Sequence, residues 1–210
     1  MRHIGIAAVT AEGASIVYRH ICAESEKLFG PYVHPEITLH TFSFSEHIYF
    51  GEDRQKKWSD LLIKSISKLN ISGADFVICP SNTTHEVYEF VCSKIDIPWL
   101  NIASCVERTA NRVGLKKLLL LGTSFTMNSN VYKNAFQQTH VEVVTPNDEE
   151  KEYLHTLITE KLIRAEVSIV DQKRIETLIN KNQKLGVDGV ILGCTELPLI
   201  IIIRLLRSQF

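Results

Sequence analysis

A hydroxyl and a thiol occupy matching positions in two similar stretches of this sequence. Residues 73–81 read GADFVICPS and residues 186–194 read GVDGVILGC, which places Ser81 and Cys194 at the same point with an offset of 113 residues. Each follows an apolar run. A thiolate can act as an acid/base group or a nucleophile, whereas a hydroxyl needs an adjacent base to do so. The two stretches therefore indicate chemistry at the ends of two buried strands.

Cys194 has the sharper chemical interpretation of the two. Gly193 permits a tight turn after the apolar run, and Thr195 and Glu196 open the next turn. A helix N-terminus stabilises a thiolate, so this placement predicts a lowered thiol pKa and an acid/base or nucleophilic role at neutral pH. The alternative is an inert core cysteine. Cys79, inside the first apolar run, is predicted to be such a core residue.

The same offset relates two threonines. Thr10 follows the apolar residues 4–9, and Thr123, 113 residues later, follows the apolar residues 118–122. Agreement of two separate stretches on one offset favours a duplicated half, although short strands rich in Val, Ile and Gly also resemble one another by chance. Hydroxyls and helix N-terminal N–H groups bind carboxylates well. No Gly-rich phosphate motif is present, so a small acid is the expected ligand.

The elements that must position these groups are alternating strands and helices. Short apolar runs alternate with segments of helical periodicity in both halves, which predicts an α/β fold with parallel sheets flanked by helices. Ligands of such sheets bind beyond the carboxyl ends of the strands. Residues 41–53 combine aromatic and polar side chains without a clear period and are predicted to form an ordered loop over a site.

Composition excludes several classes of function. The net charge is −1 and no long basic cluster occurs, so neither a nucleic acid nor a membrane surface is an expected partner. Five cysteines without a CxxC pair, and no signal segment, indicate free thiols in a reducing cytoplasm. The histidines show no metal-ligand spacing, so no metal is expected. His85 could orient a loop or a carboxylate, or be purely structural.

Two motifs resemble a known family. Residues 80–85 (Pro-Ser-Asn-Thr-Thr-His) resemble its P-C-N-T-x-H motif, and residues 193–198 (Gly-Cys-Thr-Glu-Leu-Pro) resemble its G-C-T-E-[IL]-P motif. These are motifs of the cofactor-independent aspartate/glutamate racemase superfamily. Residues 5–19 are similar to the amino-terminal segment of one bacterial branch, and the resemblance extends from residue 3 to about residue 198.

The resemblance implies two similar α/β lobes, related by a pseudo-two-fold axis, with the active site in the cleft between them. Residues 1–98 would form the first lobe, joined by the tail 197–210, and residues 99–196 the second. Cys194 and Ser81 would be the catalytic pair, acting without a cofactor at the α-carbon of an amino acid or dicarboxylate. The side chains expected to contact this substrate are Thr10, Asn82, Thr83, Thr84, Thr123, Thr195 and Glu196.

Two departures from the family pattern shape the functional hypothesis. Ser81 replaces the first cysteine and is a far weaker acid than a thiol. Relatives continue past the second motif with a further strand and helix, so the ending looks short, and uncovered apolar surface would favour a homodimer. The leading hypothesis is a racemase-like enzyme. A decarboxylase with one cysteine, resembling arylmalonate decarboxylase, and a non-catalytic binder of amino acids or dicarboxylates are the alternatives.

Overall fold

The computed structural model describes residues 1–48 and 51–205, with side chains as far as residue 201. The chain divides into two compact units, with the boundary after Ile102. The first unit contains strands β1 to β3 and helices α1 to α4. In chain order these are β1 Ile4–Ala8, α1 Ala11–Phe29, β2 Ile37–Thr41, α2 Phe44–His47, α3 Arg54–Ile71, β3 Phe76–Ile78, a 3-10 helix Thr83–Val87, and α4 Tyr88–Cys92.

The second unit repeats this alternation. Helix α5 begins at the boundary and is followed by β4, the central strand. In chain order the elements are α5 Ile102–Val113, β4 Lys117–Leu121, α6 Ser124–Asn128, α7 Val131–Phe136, β5 Glu142–Val144, α8 Asp148–Thr156, a π-helix Leu157–Lys161, a 3-10 helix Leu162–Arg164, α9 Ile169–Gln183, β6 Gly189–Leu192, and α10 Pro198–Leu205.

Both units contain a three-stranded parallel sheet with the same strand order. The first strand of each unit is central, giving β2-β1-β3 and β5-β4-β6. In the first sheet Ile4 lies beside Ile37 and Phe76. In the second, Leu118 lies beside Val143 and Gly189. The predicted α/β fold with parallel sheets flanked by helices is confirmed, and in each unit the carboxyl ends of the strands share one edge.

The repeated aspartates have one structural role in both units. Asp75 accepts a hydrogen bond from the backbone N–H of His3 at 2.6 Å, and Asp188 accepts one from Lys116 at 2.8 Å. Each carboxylate thus anchors the start of the third strand to the start of the central strand. His3 and Lys116 are separated by the same offset as the aspartates. The offset seen in the sequence therefore corresponds to a repeated local structure.

Each sheet is buried by apolar residues of the strands and of the helices packed on it. In the first unit α3 places Leu62, Ile66 and Leu69 against the sheet, while Ala14 of α1 packs with Ile6 on a separate core. The second unit buries the whole of β4 apart from its first residue. None of the helices formed by the described residues combines the length and apolar character needed to cross a membrane.

The structure differs from the sequence prediction in two segments. The tail was expected to join the first lobe, but Leu197, Ile200 and Ile201 pack in the apolar core of the second unit, and residues 206–210 lie outside the described residues. Within the predicted loop 41–53 the chain forms the short helix α2, while residues 49 and 50 of that loop also lie outside the described residues. The isoleucine-rich tail is too short for its hydrophobic pattern to predict which unit it packs against.

Candidate active site

Two glycines bring the loops after β4 and β6 together. The Gly193 N–H donates to the carbonyl oxygen of Leu121 at 2.6 Å, and a Cβ on Gly193 would lie only 2.8 Å from that oxygen. A Cβ on Gly122 would lie 3.1 Å from the carbonyl oxygen of Gly193. Because Gly193 has no side chain, its backbone can approach the backbone of Leu121 this closely. The segments that begin with Thr123 and Cys194 are consequently neighbours at one edge of the second sheet.

The thiol of Cys194 is hydrogen-bonded to a carboxylate. Cys194 Sγ donates to Glu196 Oε2 over 2.9 Å, and Thr195 Oγ1 donates to the same oxygen over 3.0 Å. Glu196 is only 3% exposed. A buried carboxylate needs such donors because burial removes the water molecules that would otherwise hydrogen-bond to it. Thr195 was expected to bind substrate, but here its proton is committed to holding Glu196 in place.

The pKa of Cys194 contradicts the sequence prediction. Burial, followed by the negative charge of Glu196 and its hydrogen bond, raises the pKa of the Cys194 thiol well above its ordinary value. The predicted lowering relied on a helix N-terminus directly after the thiol, but α10 begins only at Pro198. A carboxylate at hydrogen-bonding distance outweighs that dipole. The resting group is a protonated thiol beside a proton acceptor.

Thr10 and Thr123 both cap the helix that follows the central strand. Thr10 Oγ1 accepts from the Gly13 N–H at 3.1 Å, and Thr123 Oγ1 accepts from the Thr126 N–H at 3.4 Å. A capping hydroxyl uses a lone pair, so its own proton remains able to donate. Both hydroxyls lie at the carboxyl end of a central strand. The Thr10 hydroxyl can therefore donate to a carboxylate while it caps its helix. The Thr123 hydroxyl also lies 3.4 Å from Thr126 Oγ1, and it can donate to a carboxylate when Thr126 is the donor of that pair.

In the first unit Ser81 lies three residues after the last residue of β3 and two residues before the 3-10 helix. Its carbonyl oxygen accepts from Thr84 Oγ1 at 2.9 Å and from His85 Nδ1 at 2.8 Å. Thr84 is 2% exposed, and its hydroxyl also lies 3.4 Å from Cys79 Sγ. Thr84 was expected to contact substrate, but its hydroxyl is directed to the protein interior. Burial raises the pKa of Cys79 to about 11, and the predicted core role of this cysteine is confirmed.

Asn82 and Thr83 begin the 3-10 helix. Asn82 is buried and precedes the helix, but its side chain makes no capping hydrogen bond. The reason is that the following helix is a tight five-residue 3-10 turn, and Asn82 already has helical backbone angles. At the repeat offset, Thr83 occupies the position that Glu196 has in the second unit. The thiol–carboxylate pair of the second unit thus corresponds to a serine and a threonine in the first.

Two further features of the site were missed by the sequence analysis. The sequence prediction placed Glu196 among the substrate ligands and did not include its hydrogen bond with the Cys194 thiol two residues earlier. Arg54 donates to Glu86 at 2.8 Å and stacks over the ring of Trp58, tying the 3-10 helix to α3. Across residues 1–48 and 51–205, no three His, Cys, Asp or Glu side chains are grouped as metal ligands.

The class of this protein is defined by two α/β units that each contain a parallel sheet of the same strand order. A thiol–carboxylate pair follows the third strand of the second unit. The protein belongs to the Asp/Glu/hydantoin racemase family, whose sequence model matches residues 6–208. The resemblance predicted from the two motifs is thereby confirmed.

Individual relatives agree with this assignment. An aspartate racemase homologue from Pyrococcus horikoshii OT3 is 32% identical, with a TM-score of 0.83 over 96% of this chain and 88% of that one. The aspartate racemase of Picrophilus torridus shares the fold over 96% of this chain and 84% of that one, with a TM-score of 0.74 and 20% identity. The broad specificity amino-acid racemase RacX of Bacillus subtilis (strain 168) is 33% identical over 94 residues, which span 44% of this chain and 39% of RacX.

Proposed function

We propose that this protein is a cofactor-independent, racemase-like enzyme that transfers a proton at the α-carbon of a small acidic amino acid. The observation that carries the proposal is the 2.9 Å hydrogen bond from Cys194 Sγ to Glu196 Oε2. A protonated thiol beside a buried carboxylate is a poor nucleophile but a good acid/base pair, because the proton can move between the two groups. Membership of the racemase family supports the same chemistry.

The proton bookkeeping of the proposed reaction is simple. Glu196 takes the proton of Cys194, breaking the S–H bond and forming an O–H bond, and the thiolate then takes the α-proton of the substrate. The electron pair of the broken C–H bond stays on the α-carbon, next to the substrate carboxylate. A proton returned from Cys194 regenerates the same enantiomer, and Glu196 then gives its proton back to the thiolate. For the other enantiomer, Ser81 breaks its O–H bond to protonate the opposite face. The Ser81 alkoxide then regains a proton from water, and the extra proton on the Cys194–Glu196 pair leaves to water. The hydroxyl of Ser81 is the weaker donor, so inversion is the slower outcome.

The substrate carboxylate would be held by the two capping threonines, with Asn82 and Thr83 as further ligands. Thr10 and Thr123 each place a hydroxyl at the carboxyl end of a central strand, and each accepts a capping hydrogen bond through its oxygen. A hydrogen bond to a charged carboxylate is stronger than one between neutral groups. We therefore assign recognition of the α-carboxylate to these hydroxyls, and specificity for an acidic side chain is part of the proposal.

Solvent deuterium tests the proposed function. In D₂O, incubation with the enantiomers of aspartate and glutamate should place deuterium at Cα, as read by NMR, and Cys194→Ala should abolish this incorporation. Cys22→Ala is the matched control, because Cys22 lies on α1 of the other unit. Stabilisation by these acids without any exchange would make the protein a binder and would overturn the enzymatic proposal.

A one-base decarboxylase is the second candidate. The observation that favours it is the absence of a second thiol at the register position of Cys194, where Ser81 stands. Decarboxylation breaks a C–C bond and needs only one protonation, which Cys194 could supply from one face. Loss of CO₂ from a malonate-type diacid, with no exchange of deuterium into amino acids, would favour this candidate over the racemase.

Thr123→Val tests the anchoring of the carboxylate. The change keeps the shape of the side chain but removes a donor to a charged group, so the free energy of substrate binding should weaken by about 1.5 to 3 kcal/mol. Loss of the helix cap should cost about 1 kcal/mol of folding stability as a separate effect. Isothermal titration gives the first quantity and thermal unfolding the second. Thr123→Ser retains both hydrogen bonds and is the control, and an unchanged dissociation constant for Thr123→Val would place the carboxylate elsewhere.

A further inference from the structure

The imidazole of His85 is buried directly behind Ser81. His85 is 4% exposed, and its Nδ1 lies 2.8 Å from the carbonyl oxygen of Ser81. The ring packs against Trp99 with a centroid separation of 4.8 Å and is stacked with Tyr88 at 6.1 Å. The Tyr88 hydroxyl in turn donates to the carbonyl of Trp99 at 2.8 Å. The ring is therefore held on its faces and at Nδ1, and it has little room to rotate.

The protonation state of this ring follows from its surroundings. A carbonyl oxygen can only accept, so Nδ1 must carry the hydrogen that joins it to Ser81. Burial lowers the pKa of His85 to about 4, which keeps the imidazole neutral near pH 7. Nε2 is buried and has no hydrogen-bond partner of good geometry among the described residues, although the backbone of Leu100 also interacts with the ring. The Nδ1–H tautomer is the one that donates to the Ser81 carbonyl.

The backbone of Ser81 is also held by other groups. Thr84 Oγ1 donates to the same carbonyl oxygen at 2.9 Å, and the Ser81 backbone N–H is directed to the buried Cys79 sulfur. The 3-10 helix that supplies these donors is tied to α3 by the 2.8 Å ion pair between Arg54 and Glu86. The N–H and C=O groups of Ser81 are therefore both occupied, which fixes the direction of its Cα–Cβ bond.

We propose that His85 is a positioning residue: its Nδ1–H fixes the Ser81 carbonyl and thereby the direction in which the Ser81 side chain presents a proton. The catalytic consequence rests on the proposed function, whereas the positioning itself does not. A displacement of about 1 Å in a reacting group can cost ~10²-fold in rate, so a rigid backbone at this residue matters when its hydroxyl is already a weak donor.

A pair of amide substitutions tests the geometry. The amide nitrogen of Asn superposes on Nδ1 of the histidine it replaces, and that of Gln superposes on Nε2. Both are made in a Ser81→Cys background, where the introduced thiol reports its own position by alkylation. His85→Asn should leave the alkylation rate and kcat of that background nearly unchanged. His85→Gln should speed alkylation several-fold and lower kcat by ~10- to 100-fold with little change in KM. His140→Gln, at an exposed histidine of the second unit, should change neither quantity.

A tautomer measurement makes the test independent of activity. Nitrogen-15 NMR of the wild-type protein at pH 7 should show His85 as the Nδ1–H tautomer. A dominant Nε2–H tautomer overturns the proposal. Equal alkylation rates and equal kcat values for the Asn and Gln variants also overturn it. If His85→Gln does not fold, Thr84→Val removes the second donor to the same carbonyl and should also speed alkylation, and no change there counts against the proposal. If no variant or parent exchanges deuterium while the tautomer and alkylation pattern hold, the proposed function fails and the positioning role stands.

Discussion

Glu196→Gln should lower deuterium exchange at Cα by ~10² to 10⁴ while it makes Cys194 more reactive toward iodoacetamide. The carboxylate raises the pKa of the thiol by its charge, and in our mechanism it also takes the thiol proton. The amide does neither, because it carries no charge and is a very weak base. Exchange is measured by NMR in D₂O, and alkylation of Cys194 is followed against pH by peptide mapping. The midpoint of the alkylation curve should shift to lower pH.

Slower deuterium exchange together with faster Cys194 alkylation would distinguish loss of the proton acceptor from unfolding, provided that a second cysteine of the same unit serves as a control. Cys105, on α5 of the same unit, is partly exposed and should alkylate at its wild-type rate in Glu196→Gln. Glu196→Asp keeps the charge on a shorter side chain and should leave the thiol unreactive. Wild-type exchange in Glu196→Gln would show that another group takes the thiol proton, and an unshifted alkylation midpoint would contradict the electrostatic account of the raised pKa.

Ser81→Cys should raise the rate of racemisation by ~10² to 10⁴ while exchange from the Cys194 face changes little. Cys194 is paired with the Glu196 carboxylate, whereas Ser81 and Thr83 occupy the corresponding positions of the first unit, so we expect one enantiomer to gain deuterium faster than it is inverted. The substitution places a group with a pKa of about 8.5 at the register position of Cys194 and changes the side-chain volume only slightly. Chiral chromatography gives the rate of inversion, and mass spectrometry of each separated enantiomer gives its deuterium content.

Two further variants make the result decisive. Ser81→Ala removes the hydroxyl and should leave one-sided exchange intact while inversion falls below the wild-type rate. Adding Thr83→Glu to Ser81→Cys reproduces in the first unit the Cys-x-Glu spacing of the second and should not reduce the gain. Should wild type invert both enantiomers as fast as it exchanges them, the hydroxyl of Ser81 or another group is already an adequate second base, and the one-sided mechanism is wrong.

Much of the fold and part of the candidate site could be predicted from local patterns. The apolar run 118–122 coincides with most of the observed β4, Lys117–Leu121. The repeated Gly-x-Asp segments have matched roles because an aspartate two residues after a turn glycine can reach the start of a neighbouring strand. The burial of Cys79 followed from its place inside an apolar run. The family was predicted from two short motifs. These features depend on residues close together in the sequence, or on one constant offset.

The sequence by itself therefore determined the α/β class, the repeat, the family and the positions of Ser81 and Cys194. Only the tertiary structure decided their chemical state. The pKa of Cys194 is raised because burial and the Glu196 carboxylate act together, and the strength of each depends on distance and lost solvent. In the same way, Thr84 and His85 turn inward to the Ser81 carbonyl because a five-residue 3-10 helix curls their side chains back over the preceding backbone. Side-chain direction and burial are three-dimensional quantities, and no spacing along the chain specifies them.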